Sequence, residues 1–93
     1  MDGRKMTVTL SGQLDTTAAP EFDGQVRPHL GMADEIVFDI KDLFYVSSSG
    51  LRIFLSIHKA MNESGGKMSI INTQPAVRSI FELTGFSDIL NIR

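Results

Sequence analysis

The run Glu35-Ile36-Val37-Phe38-Asp39-Ile40 constrains this chain more than any other stretch, because it is almost wholly apolar and rich in β-branched and aromatic residues. Such a run suits a strand covered on both faces, and so one in the middle of a sheet. It sits within an alternation of two periods. Met6-Thr7-Val8-Thr9-Leu10-Ser11 alternates apolar with polar residues, the period of a strand with one wet face, and Gly12 breaks it. From Ser49 to Glu63 the period is helical. Leu51, Phe54, Leu55, His58 and Met61 line one stripe, Ile53 and Ile57 widen it, and Arg52, Ser56, Lys59 and Asn62 lie outside.

The remaining elements follow from caps and breakers. Thr16 or Thr17 can cap a first helix, and Pro20 is tolerated in its opening turn. Phe22, Val26 and Leu30 recur every four residues toward the core. Pro28 predicts a bend or an end to that helix, since an interior proline costs roughly 3 kcal/mol. Lys41-Asp42 starts a connection, and Phe44-Tyr45-Val46 leads on to three serines. Ser64-Gly65-Gly66 closes the second helix, with Gly65 suited to the left-handed residue past a C-cap. Met68-Ser69-Ile70-Ile71 reads as a buried strand. Pro75 opens a third helix with Val77, Ile80 and Phe81 inward and Gly85 as its stop, and Ile89-Leu90-Asn91-Ile92 offers a last short strand. Strand and helix therefore alternate throughout. This predicts an α/β fold: a small, mostly parallel or mixed sheet of four to five strands, joined by right-handed crossovers, with about three helices mainly on one face. At 93 residues, without repeats or linkers, a single domain over residues 1–93 is expected.

Composition excludes several classes of function. Nine basic and eleven acidic side chains leave a formal charge of −2, and the only adjacent basic pair is Arg4-Lys5, read as a solvated terminus. That balance argues against an electrostatic footprint for nucleic acid or anionic lipid. Cysteine is absent, which removes disulfides, thiolate metal sites and a cysteine nucleophile. Met1-Asp2-Gly3-Arg4-Lys5 leads into alternating residues and not into an apolar core, so no signal peptide is expected. No apolar run approaches the ~20 residues of a membrane span, and a cytoplasmic location is expected.

Catalytic constellations are not found in the pattern either. His29 and His58 sit on separate helices, and neither has a partner at metal-ligand spacing, so no metal is expected. His58, on or beside the apolar stripe, reads as a packed or rim histidine. A serine nucleophile needs an oriented base. The hydrolase elbow needs glycine two residues before Ser48, where Val46 stands. Ser47-Ser48-Ser49-Gly50-Leu51 also lacks the glycine and lysine of a phosphate-binding loop. No enzyme activity and no cofactor are expected.

What the serine cluster does offer is a helix start. A serine hydroxyl there accepts a bond from a free helix N–H. One cap needs one serine, and the surplus hydroxyls lie where the helix dipole favours negative charge. In open α/β sheets that place, at the carboxyl end of a strand, is where ligands bind.

Three blocks of the chain resemble the STAS domain, in particular the bacterial anti-sigma factor antagonists. Gly12-Gln13-Leu14-Asp15 with Ala18 and Phe22 is similar to the family's opening segment. Ile36–Ile40 followed by Val46-Ser47-Ser48-Ser49-Gly50-Leu51-Arg52 is similar to its hydrophobic strand and D-S-S/T-G-L signature, with Ser47 standing where Asp is usual. Gly65-Gly66-Lys67 to Ile71, Pro75-Ala76-Val77-Arg78 and Leu83-Thr84-Gly85-Phe86 are similar to its tail.

The resemblance implies a non-catalytic antagonist that binds an anti-sigma factor which is also a serine kinase. Phosphorylation at Ser48 releases that partner, a serine phosphatase resets the switch, and transcription is regulated indirectly. Asp15, Ser47, Ser49, Gly50, Leu51 and Arg52 become expected partner contacts, with Asp15 equally readable as a cap of the first helix and Leu51 also readable as core. A second reading takes the same surface as a docking face in a transporter or sensor complex, without phosphorylation. Family members often carry a further strand before Met6 and a helix after Ile92, so an exposed sheet edge is expected here.

Overall fold

A computed structural model describes residues 4–93. The reading of Met1-Asp2-Gly3 as a non-apolar start lies outside them. The elements in chain order are β1 (Lys5–Leu14), α1 (Ala18–Val26), a 3-10 helix (Arg27–Met32), β2 (Glu35–Val46), α2 (Ser48–Glu63), β3 (Lys67–Ile71), α3 (Pro75–Leu83) and a short 3-10 turn (Phe86–Asp88). No helix among the described residues is long and apolar enough to cross a membrane.

The strands form one parallel sheet in the order β1-β2-β3, with the apolar run of β2 in the centre as its composition demands. Among the described residues the sheet has three strands, where four to five were expected. The last segment reaches β3 only through a single parallel bridge between Ile92 and Ile70. Ile70 N–H donates to Asn91, and Arg93 N–H donates to Ile70, so the chain end runs beside β3 without extending into a ladder.

Helices cover one face. Phe22 and Val26 of α1, Leu51, Phe54, Ile57 and Met61 of α2, and Val77 and Phe81 of α3 share one core cluster with Ile36, Phe38, Ile40, Met68 and Ile70 of the sheet. Phe54 is its hub. Its ring lies 5.6 Å from Phe22, 5.3 Å from Phe38 and 6.1 Å from Phe81, in tilted or edge-on geometry that suits aromatic quadrupoles. Coverage of β2 on both faces, expected from its composition, is not found. Val37 is buried yet lies outside this cluster, in a cross-strand row with Thr7 and Ser69, and Asp39 in the next row is half-exposed. Val37 is flanked there by its cross-strand neighbours Thr7 and Ser69, and the helices keep to the other face as expected.

Two local expectations change. Gly12 does not end β1; it takes φ +79° within the strand, which its missing Cβ allows. Lys41-Asp42 is not a connection. β2 runs on to Val46, and its register against β1 shifts between Thr9 and Ser11 and again between Gly12 and Gln13. Each shift is a bulge that adds a residue to β2. Ile40, Leu43 and Val46, three residues apart, all turn inward as a result, while Lys41, Asp42, Phe44 and Tyr45 turn out.

The first helix gives way to a 3-10 helix over Arg27–Met32, with Pro28 in its first turn, as the proline requires. Gly65 and Gly85 both take φ +80° past helix ends.

Candidate functional site

The site lies at the carboxyl ends of β1 and β2, where α2 begins. Ser47 is extended, at φ −79° and ψ 171°, and its hydroxyl oxygen accepts the Gly50 N–H at 3.2 Å. That is the N-cap. Its backbone N–H donates to the Leu14 carbonyl at 2.9 Å, tying the turn to the end of β1. Serine stands here where aspartate is usual in the resembling family. Both are strong caps, so the change preserves the helix start.

With Ser47 as cap, Ser48 is the first residue of α2 and is exposed, while Ser49 is half-buried. No acidic side chain occupies the first turn of α2. No charge within α2 itself therefore offsets the positive end of this 16-residue helix beside the Ser48 hydroxyl.

Gly50 seats the helix. A Cβ there would stand 2.9 Å from Val46 Cγ1, closer than real contacts allow, and 3.0 Å from Leu14 Cγ and Cδ2, tighter than most. The first turn of α2 thus rests on the two strand ends because that position has no side chain.

Of the expected contact residues, the structure sorts exposed from buried. Arg52 is exposed one helical turn beyond Ser48, and it lines an open groove of about 410 Å³ with Arg27, Ser56, Lys59 and Glu63. Asp15 is half-buried beside the turn. Its Oδ1 accepts the N–H groups of Thr17 at 3.1 Å and Ala18 at 2.9 Å, so it caps α1. Thr17, expected as a cap, makes no side-chain cap bond. Ser47, Gly50 and Leu51, also expected among the partner contacts, are buried. Leu51 packs into the core because it falls on the same stripe as Phe54 and Ile57.

His58 is half-buried on α2, with its Nε2 3.2 Å from Asn62 Nδ2. His29 is exposed at the end of the first helical segment.

Sequence reasoning passed over Phe44 and Tyr45, which are exposed just before the serine turn. The available signal was the three-residue spacing of Ile40, Leu43 and Val46, which breaks strand alternation and marks the bulges.

Residues 2–93 match the family model of the STAS domain. The chain is 27% identical over 85 residues to the anti-sigma-B factor antagonist of Bacillus subtilis (strain 168), covering 91% of this chain and 78% of that protein. Among solved structures, an anti-sigma factor antagonist from Mycobacterium paratuberculosis superposes with a TM-score of 0.84 at 22% identity, over 99% of this chain and 78% of that one. The phosphorylated form of the Bacillus cell fate determinant SpoIIAA gives a TM-score of 0.75 at 19% identity, over 99% of this chain and 85% of that one. The structural matches show a shared fold.

Proposed function

This chain belongs to the STAS domain family, and from that premise we propose that it is an anti-sigma factor antagonist switched by phosphorylation of Ser48. In its unmodified form it binds an anti-sigma factor that is also a serine kinase, and so frees the sigma factor. The kinase transfers phosphate to the Ser48 hydroxyl and the complex separates. A serine phosphatase restores the hydroxyl.

One observation carries the reading. The cap of α2 is filled by Ser47, which leaves the Ser48 hydroxyl exposed at the helix start. A phosphoryl group at Ser48 adds about −1.5 to −2 charges and three acceptor oxygens. The positive dipole end of α2 tolerates that charge, so the domain keeps its fold. The partner bears the cost. An apolar or anionic surface seated over Ser48 meets a desolvated dianion, and unfavourable contact of that kind costs several kcal/mol. Each ~1.4 kcal/mol is a tenfold loss of affinity. Asp15, Ser49 and Arg52 are the side chains on this surface that meet the partner. The antagonist name carried by the Bacillus subtilis relative favours this reading over a transporter docking face.

The test uses purified anti-sigma factors of the kinase type from the same genome. The unmodified chain is expected to bind one of them and, with ATP, to gain a single phosphate mapped to Ser48. The Ser48→Ala variant is expected to bind and to resist modification. Stoichiometric phosphorylation of Ser48→Ala overturns the assignment.

A further inference from the structure

We propose that Phe44 and Tyr45 form the apolar anchor of the partner face, seated in an apolar cleft of the same anti-sigma factor that receives Ser48; the inference rests on the functional reading above. Phe44 is 55% exposed and Tyr45 44%, whereas Phe22, Phe38, Phe54 and Phe81 are buried. Two adjacent strand residues ordinarily point to opposite faces. Here the register shift between Gly12 and Gln13 gives β2 an extra residue, and both rings turn away from the core between the inward Leu43 and Val46. The backbone departs from regular pairing at the place where the rings are presented. Bulges of this kind re-aim side chains beside functional sites.

Proximity selects the occupant. Tyr45 lies two residues before the Ser47 cap, and Phe44 lies four before Ser48. Even a fully extended chain carries Phe44 at most about 14 Å from Ser48. A partner of standard size covers about 800 Å² on each side, which as a disc reaches roughly 16 Å from its centre. A footprint centred on Ser48 that spreads over the carboxyl ends of the strands is therefore wide enough to reach both rings. Beside them lie two exposed polar residues, Gln13, paired in register with Tyr45, and Asp42, two residues before Phe44 in β2. Aromatic rings within a polar rim are the composition of an interface anchor. The other large exposed apolar side chains among the described residues, Met32, Leu83 and Ile89, belong to other segments. Leu83 closes α3, about 12 Å along its axis from Pro75.

The experiment compares the unsubstituted chain, a Phe44→Gln/Tyr45→Gln double variant and Leu83→Gln against the purified kinase-type anti-sigma factor, with thermal melts of each. The double variant is expected to melt close to the parent and to bind at least tenfold more weakly. Its loss in the phosphorylation assay is expected in KM, with kcat unchanged. Leu83→Gln, altered at an 87% exposed position, is expected to bind within twofold of the parent. Equal affinity of double variant and parent overturns the inference and leaves the functional reading standing, as does an equal loss in Leu83→Gln. If the double variant does not fold, Phe44→Gln alone is read, and an affinity equal to the parent's overturns the inference in the same way. Failure of the parent itself to bind any such factor sinks both, and the parent measurement tells that case apart.

Discussion

The hydroxyl oxygen of Ser47 accepts the Gly50 N–H at 3.2 Å, and this bond decides which serine of the cluster is structural and which is free. Ser47 is 7% exposed, so nothing from solvent readily replaces the bond if it is lost. Ser47→Ala is expected to destabilise the domain by about 1 kcal/mol, the usual worth of a serine cap. For a domain of this size that lowers the melting temperature by roughly 4–8 °C, measured by calorimetry or circular dichroism.

Gly50→Ala sets two effects against each other. Alanine favours a helix over glycine by about 1 kcal/mol. The new methyl group, however, meets Val46 Cγ1 at 2.9 Å and Leu14 at 3.0 Å, and both neighbours are buried core residues with little room to move. Overpacking of that kind costs about 1–3 kcal/mol. A net loss of stability is expected, read from denaturant unfolding as a lower midpoint at unchanged slope. A midpoint equal to or above the parent's contradicts the claim that α2 rests directly on the strand ends.

Ser48→Asp separates fold from binding. A carboxylate at the first residue of α2 faces the positive end of the helix dipole, where no other acidic side chain stands in the first turn. Its stability is expected to match or exceed that of the parent by about 0.3–1 kcal/mol at low salt. Affinity for the kinase-type anti-sigma factor is expected to fall at the same time. A destabilised Ser48→Asp variant argues against a phosphate being accepted at this position.

Asp39 supplies a pH test on the face without helices. The Asn72 side-chain amide donates to its Oδ1 at 3.1 Å, and the Lys41 N–H at 3.2 Å. These bonds, the Asn72 one foremost, hold its carboxyl below the usual carboxylate range. A depressed pKa in the folded state means that the ionised form stabilises the fold above the unfolded pKa. That contribution is lost as pH falls through the folded value. Asn72 adopts φ +58°, a conformation glycine takes freely, so Asn72→Gly removes the amide donor without backbone strain. The Asp39 pKa is expected to rise toward the ordinary carboxylate range in this variant, followed by NMR titration of the side-chain carboxyl carbon.

Much of this was legible in the chain. Pro28 and Pro75, Gly65 and Gly85 mark helix limits because each acts through its own backbone torsions or missing N–H, which need no tertiary context. The stripe of α2 was readable for a similar reason, since a 3.6-residue period survives in any environment that supplies one apolar side. The carboxyl half of β2 was not. Its bulges exist only against the register of β1, and a single strand read alone carries no register. Hence Lys41-Asp42 reads as a break, and Phe44 and Tyr45 pass as ordinary strand residues.

The same division runs through the serine turn. Local sequence determined that a helix starts there, because three hydroxyls and a glycine between an apolar strand and an amphipathic stripe offer the backbone a cap. Tertiary structure decided which hydroxyl caps and which is exposed, through the Ser47–Leu14 backbone bond and the packing of Gly50 on Val46 and Leu14. Capping is a matter of residues within one turn of each other, whereas exposure depends on what strands distant in the chain bring alongside. The buried places of Ser47 and Gly50 could therefore be known only once β1 and β2 were side by side, whereas Leu51 already fell on the apolar stripe of α2.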